Sequence, residues 1–218
     1  MKTILTLILI AALAFPPAAA ADKKAEAYVA LHANNALRVL NDKTLSEEAR
    51  SAKFSETMHT FAYMPGIARR VLGVRGQSIS SADFERYYAV FERYATAVYE
   101  IRLRDFRGDS LRIAGSSDPA PRRSQVSTLI TSASTGKEMP VVWDVLQSSD
   151  GETYRVRDVG VNLNGAVIWL AQDQQSQFES FLDRNNGSID KLIARIESMT
   201  SDIASRRRAV DARDRRPT

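Results

Sequence analysis

Residues 81–106 read SADFERYYAVFERYATAVYEIRLRDF. Phe84, Tyr87, Tyr88, Phe91, Tyr94, Ala95, Val98 and Ile101 recur at steps of three and four. That is the helical period, and it makes one broad apolar face. Glu85, Arg86, Glu92, Arg93, Arg102 and Arg104 fall mostly on the other side. Ser80, with Asp83 three residues on, supplies an N-terminal capping pair. At ~1.5 Å per residue the rod is ~39 Å long, about the width of a small domain. Tyr99 and Phe106 complete a set in which a large part of the chain's aromatic side chains sits on this rod. Its face either fills a core or lines a cavity, and the rest of the chain must decide between them.

Upstream, the chain begins MKTILTLILIAALAFPPAAAADKK. Lys2 is followed by an apolar run from Ile4 to Phe15, and small residues lie at Ala18–Ala21. This reads as a secretory signal peptide, residues 1–21, cleaved near Ala20–Asp22. The run is shorter than the ~20 apolar residues of a spanning helix. The chain has no cysteine. An exported domain without disulfides must rely on its core, and residues 22–204 are long enough to build one. The formal charge of +4 is concentrated at the other end. Residues 205–218 carry Arg206, Arg207, Arg208, Arg213, Arg215 and Arg216 against Asp211 and Asp214, and read as a disordered basic tail. Export makes nucleic acid an unsuitable partner for it.

Residues 24–41 form a helix with Val29, Ala33, Ala36, Leu37 and Leu40 on one face. Thr44, with Glu47 three residues later, predicts the start of a second helix running to about Thr60. Pro65 opens a short third helix that Gly73 closes, and residues 74–80 read as a loop. After Gly108 the period changes to two. Leu111 and Ile113 begin one strand, and the stretch 115–123, with Pro119 and Pro121, reads as a turn or loop. Val126, Thr128 and Ile130 mark a second strand, and Met139, Val141, Trp143 and Val145 a third. After a hairpin signal at 148–151 comes a fourth, with Tyr154, Val156, Asp158, Val159 and Val161 and a bulge expected near Val159–Gly160. Apolar residues on both faces of the third strand imply a sheet covered on both sides or wrapped around something. Helices at 173–184 and after Ser188 close the chain. The plan is α+β: N-terminal helices and one long aromatic helix packed on a twisted antiparallel sheet of about four strands, with closing helices.

The chemistry of a catalyst is sparse. His32 and His59 have no acidic or histidine partner at metal spacing, so no metal is expected. No serine sits in a G-x-S-x-G elbow, and Gly73-x-x-Gly76 follows no strand. Neither a cofactor nor a catalytic residue is assigned. Asp158 is the best candidate for a general base in a small pocket, although a backbone hydrogen bond at a strand end is its simpler role; Asp144 is read as facing water.

Three stretches together resemble the MlaC family, also known as toluene-tolerance proteins. They are FAYMPGIARRVLG (61–73), the aromatic series from Phe84 to Tyr94 continuing through RLRDFRGDSLRI, and YRVRDVGVNLNGAVIWLAQDQQSQFESFL followed by IDKLIARI. The likeness covers nearly the whole mature chain in order. It departs at Arg157, where the family usually has an aromatic, at Pro65-Gly66-Ile67, in the spacing between Asp158 and Phe178, and in the Arg-rich tail.

The resemblance implies an NTF2-like or cystatin-like cone with an apolar cavity. It further implies a periplasmic phospholipid carrier that shuttles lipid between an outer-membrane lipoprotein complex and an inner-membrane ABC transporter complex, maintaining outer-membrane lipid asymmetry. A hopanoid or another amphiphile is the alternative ligand. A small-substrate enzyme using Asp158, or an interaction module with a filled core, is the alternative class. The lining expected on this basis is Tyr88, Phe91, Tyr94 and Val98 from the long helix; Leu111, Ile113, Val126 and Ile130 from the first two strands; Val141, Trp143 and Val145 from the third; and Val159, Val161 and Trp169. Each of these fits plain core as well as pocket. Arg69, Arg70 and Arg75 are the candidates for partner or head-group contact.

Overall fold

The computed structural model describes residues 21–104, 111–131, 136–163 and 165–214 of the chain. The N-terminal half is helical: α1 (Lys23–Asn41), α2 (Glu47–Phe61), α3 (Met64–Val71), α4 (Arg75–Ser78) and α5 (Ser81–Arg104). Five strands follow: β1 (Leu111–Ala120), β2 (Arg123–Thr131), β3 (Glu138–Gln147), β4 (Tyr154–Leu163) and β5 (Ala166–Trp169). The helices α6 (Leu170–Arg184) and α7 (Ile189–Asp214) close the chain. The α+β plan is the one the periodicity predicts, with one more strand. The short β5 occupies Ala166–Trp169, a stretch too brief to show a period by itself.

Local chemistry sets most of the boundaries. Asp22 caps α1 by accepting the Ala25 N–H at 2.9 Å. At α2 the cap is Ser46, whose hydroxyl accepts the Ala49 N–H at 3.2 Å. The expected capping residue, Thr44, instead donates its N–H and its hydroxyl to Asp42 in the preceding turn. The capping pair at α5 forms as expected: Ser80 accepts the Asp83 N–H at 3.1 Å and donates to the Asp83 carboxylate at 2.9 Å. The short α4 lies within the stretch read as a loop.

The strands make one antiparallel sheet in the order β1-β2-β3-β4-β5. β1 continues through the region expected to be a loop, with irregularities between Ile113 and Gly115 and between Ser117 and Ala120. Pro119 falls in the second of these, and β1 is an edge strand, where a missing N–H need not break the ladder. The bulge in β4 comes earlier than Val159–Gly160. Asp144 pairs with Asp158 and Val145 with Val156, so Arg157 is the extra residue. The slip keeps Val156, Val159 and Val161 on the face that carries Val141, Trp143 and Val145, and turns Asp158 with Asp144 to the other.

α1 packs against β1 and β2, and α3 and α6 pack against β4. The free edge of β4 is met by Ala62 in a bridge to Val156, and the Tyr63 N–H donates to the Val156 carbonyl at 3.0 Å. The long helix α5 belongs to the helical layer, and its C-terminal residues Tyr99 and Ile101 face the sheet across a cavity. It packs chiefly on α7, and also on α1, α2 and α3. Its rings find helical partners: Phe91 and Tyr94 meet Phe178 of α6 at 6.5 and 6.2 Å between centroids, and the Tyr87 hydroxyl donates to the Ala68 carbonyl at 3.1 Å. Large rings fill helix-to-helix grooves well, so the aromatic stripe binds the helical layer together. α7 remains helical through Ser205 to Asp214, part of the stretch read as a disordered tail. Alanine and arginine are strong helix formers, which favours continuation. Residues 215–218 and the signal-like residues 1–20 lie outside the described residues.

Candidate functional site: an apolar cavity between helices and sheet

The space left between the helical layer and the sheet is a cavity of about 380 Å³. Its floor is the inner face of the sheet: Ile130 from β2, Met139, Val141 and Trp143 from β3, and Val156, Val159 and Val161 from β4. Its roof is Ala36 of α1, Met58 and Phe61 of α2, Ala62, Ile67 of α3, Tyr99 and Ile101 of α5, and Leu170 of α6. Tyr99, Ile101, Met139, Val159, Val161 and Leu170 are half-buried, which places the open side between the C-terminal end of α5, β4 and the start of α6. Among the described lining residues Asp158 is the one charged group. A volume in the lower part of the ~300–1,000 Å³ range of ligand sites, with almost wholly apolar walls, suits an apolar ligand held by area and shape.

The polar atoms near the floor are already satisfied. The Trp143 indole N–H donates to the Thr128 hydroxyl at 2.9 Å, and that hydroxyl donates to the Val141 carbonyl at 3.2 Å. Trp143 therefore presents carbon to the cavity. Phe61 lies 5.3 Å from Trp143 between ring centroids, and His32 stacks on Phe61 from outside at 5.6 Å. The Tyr28 hydroxyl donates to the Phe61 carbonyl at 2.9 Å and fixes that end of α2. Burial in this aromatic cluster lowers the His32 pKa, with the charge of Arg155 adding to the effect.

Of the residues expected to line a pocket, Ile130, Val141, Trp143, Val159 and Val161 stand in the cavity wall. Phe91, Tyr94 and Val98 border a separate void of about 30 Å³ between α3, α5 and α6, which shares Ile67, Tyr99 and Leu170 with the main cavity. Val126 and Val145 are fully buried in packed interior. Leu111 and Ile113 belong to β1, and Tyr88 stacks on Phe84 at 5.9 Å. Trp169 lies in a polar basin outside the cavity. Met58 and Phe61 of α2 also stand in the wall and were not among the expected lining residues.

The three arginines separate. The Arg69 guanidinium sits 3.8 Å above the Phe84 ring and donates to the Gly76 carbonyl at 3.2 Å, so it braces α3 against α4 and α5. Arg75 pairs with Asp183 at 2.8 Å on the surface. Arg70 lies 3.7 Å from Asp158.

Asp158 is 4% exposed. Its Oδ1 accepts the N–H groups of Val159 at 2.8 Å and of Ala171 at 2.9 Å. Trp169, at the N-cap position of α6, makes no side-chain cap, so the strand aspartate caps that helix from outside its own segment. Burial pushes its carboxyl above the usual aspartate range, against those two N–H groups and Arg70, with Asp144 pushing the same way. Asp144 does not face water as expected. It is 2% exposed, and Arg123 grips it through Nε at 2.7 Å and Nη2 at 3.3 Å. Among the described residues no cluster of His, Asp or Glu could hold a metal ion, and no helix is long and apolar enough to cross a membrane.

A family model described as MlaC protein matches residues 32–198. Among solved structures, the fold is similar to that of a phospholipid-binding protein from Ralstonia solanacearum determined in complex with a phospholipid. The TM-score is 0.69 at 16% sequence identity, covering 83% of this chain and 98% of the other. No curated protein sequence matches.

Proposed function

The chain belongs to the MlaC protein family, and from that premise we propose that it is a periplasmic lipid carrier. The acyl part of a phospholipid occupies the apolar cavity while the head group stays outside it. The carrier exchanges lipid between an outer-membrane lipoprotein complex and an inner-membrane ABC transporter complex. The leader-like residues 1–21 support export to that compartment.

The observation that carries this reading is the apolar cavity of about 380 Å³ between helices and sheet. Each buried methylene contributes ~0.8 kcal/mol, so a carrier that crosses water needs an apolar wall more than it needs polar contacts. The wall meets that need with Trp143 and Phe61 at its centre and aliphatic side chains around them. Asp158 spends its carboxylate on the α6 terminus and Arg70, which suits a structural role better than proton transfer.

Native mass spectrometry of the mature protein, followed by organic extraction, tests the reading. About one phospholipid per chain is the expected result. A hopanoid in its place would keep the carrier and change the ligand. A protein that stays empty after incubation with phospholipid vesicles would overturn it.

A further inference from the structure

On the other side of Asp158 from the apolar cavity lies a second concavity, about 330 Å³ in volume and polar in character. Asp158 is in the wall of both. Arg70, Arg123 and Arg157 line this basin, with Asp144 and Asp158 as their counter-charges, so the cluster carries one net positive charge. Among these three, within the described residues, Arg123 alone is hydrogen-bonded, through two bonds to Asp144. Arg157 stands 3.8 Å from Asp144 and Arg70 stands 3.7 Å from Asp158. Neither guanidinium makes a hydrogen bond within the described residues, although each is less than a third exposed. A guanidinium has five N–H donors in a fixed fork, shaped to bind two oxygens of one anion. The first turn of α6 reaches the same basin at Gln172, and a helix N-terminus favours negative charge.

We propose that this basin binds a phosphate group, and that the group is the head-group phosphate of the lipid whose chains occupy the adjoining cavity. Arg70 and Arg157 supply the free donors. Asp144 and Asp158 hold the arginines in place and keep the site from binding anions at large. This rests on the carrier reading and adds to it a requirement for the phosphate, which acyl burial alone does not impose. The position of the bulge supports it. The extra residue in β4 is Arg157, and without that slip Asp158 would not stand beside Asp144 on the basin side.

The test uses lipid-stripped mature protein incubated with vesicles containing either phosphatidylglycerol or diacylglycerol with the same chains. Bound lipid is read by native mass spectrometry. The wild type is expected to retain more phosphatidylglycerol than diacylglycerol. The double variant R70Q/R157Q should lose phosphatidylglycerol by roughly a hundredfold, about tenfold for each lost charge-assisted hydrogen bond, and keep its diacylglycerol. Because that variant leaves two buried carboxylates short of partners, Gln172→Glu provides a second arm. It adds a negative charge to the basin at a helix start that tolerates one, and should show the same selective loss. Equal retention of both lipids, unchanged in either variant, overturns the phosphate site and leaves the carrier standing. Uptake of neither lipid by the wild type overturns the carrier reading itself. Inorganic phosphate followed by ³¹P NMR separates a free anion from a head group. Phosphate binding that phosphatidylglycerol does not displace would overturn the head-group assignment.

Discussion

Asp144 and Asp158 stand directly opposite each other on β3 and β4, both less than 5% exposed. Like charges facing across a ladder repel, and burial strengthens the repulsion. The pair persists because each carboxylate has its own partners: Arg123 for Asp144, and two backbone N–H groups with Arg70 for Asp158. The arrangement joins β4, α3 and α6 at one point, beside the cavity.

If Asp158 matters chiefly as an acceptor for the start of α6, its charge is dispensable and its oxygen is not. Asp158→Asn keeps one carbonyl oxygen in place and removes the repulsion from Asp144, so it should cost less than about 1 kcal/mol. Asp158→Ala removes the cap and leaves the buried Ala171 N–H unpaired, for a loss of roughly 1–3 kcal/mol. Urea unfolding of the two variants distinguishes them. Equal losses would mean that the charge, through Arg70, outweighs the cap.

The two acidic caps respond to pH with opposite signs. Burial raises the Asp158 pKa, so the folded state binds a proton in a window where the unfolded chain does not. The stability from this group is therefore fully present below the ordinary aspartate pKa and is lost as pH rises through the folded value. At Asp22 burial pushes upward too, but the Ala25 N–H and the hydroxyls of Ser124 and Tyr154 outweigh it and lower the pKa. Its contribution is present above the ordinary value and is lost as pH falls through the folded one. Unfolding free energy measured across acidic pH should lose opposite parts of its slope in Asp158→Asn and in Asp22→Ala. Slopes that match the wild type in both variants would refute this account.

A tight approach holds β5 on the sheet edge. Gly160 of β4 pairs with Trp169, and a Cβ there would come within 2.4 Å of Val167 Cγ1 and 3.0 Å of the Trp169 ring. Gly160→Ala should therefore displace β5 and the start of α6 that follows it, at a cost of about 1–3 kcal/mol. Faster amide exchange confined to Ala166–Ala171 would report the displacement. Unchanged exchange there would mean that the side chains shift and the strand does not.

The α+β plan was legible because period and capping are local. The face of α5, the alternation in β2 and the Ser80–Asp83 cap each sit within a few residues. The cavity was legible only where one strand face sufficed, at Ile130, Val141, Trp143, Val159 and Val161. The partners of the α5 rings were not legible, because an apolar face does not reveal whether a sheet or another helix covers each ring. Phe91 and Tyr94 went to Phe178, a residue more than 80 positions away in the chain. A bulge in β4 was legible, but its placement at Arg157 was not. Its position depends on the register against β3, and that register brings Asp144 and Asp158 together.

The last prediction separates a cavity that is used from one that is merely present. Val161 is half-buried in the cavity wall on β4, next to the open side. Filling an existing void demands little repacking, whereas enlarging a side chain in a close-packed core costs about 1–3 kcal/mol. Val161→Phe should therefore leave the unfolding free energy of the lipid-free protein within about 1 kcal/mol of wild type, while retained lipid falls several-fold. Trp143→Ala enlarges the same space and removes both the contact with Phe61 and the bond to Thr128, so it should destabilise by roughly 3–5 kcal/mol. The two variants alter volume in opposite directions, and measuring stability and bound lipid in both separates the cavity from the core. If Val161→Phe destabilises as an overpacked core residue would, or leaves lipid retention unchanged, the chains do not lie against β4 and the carrier reading loses its site.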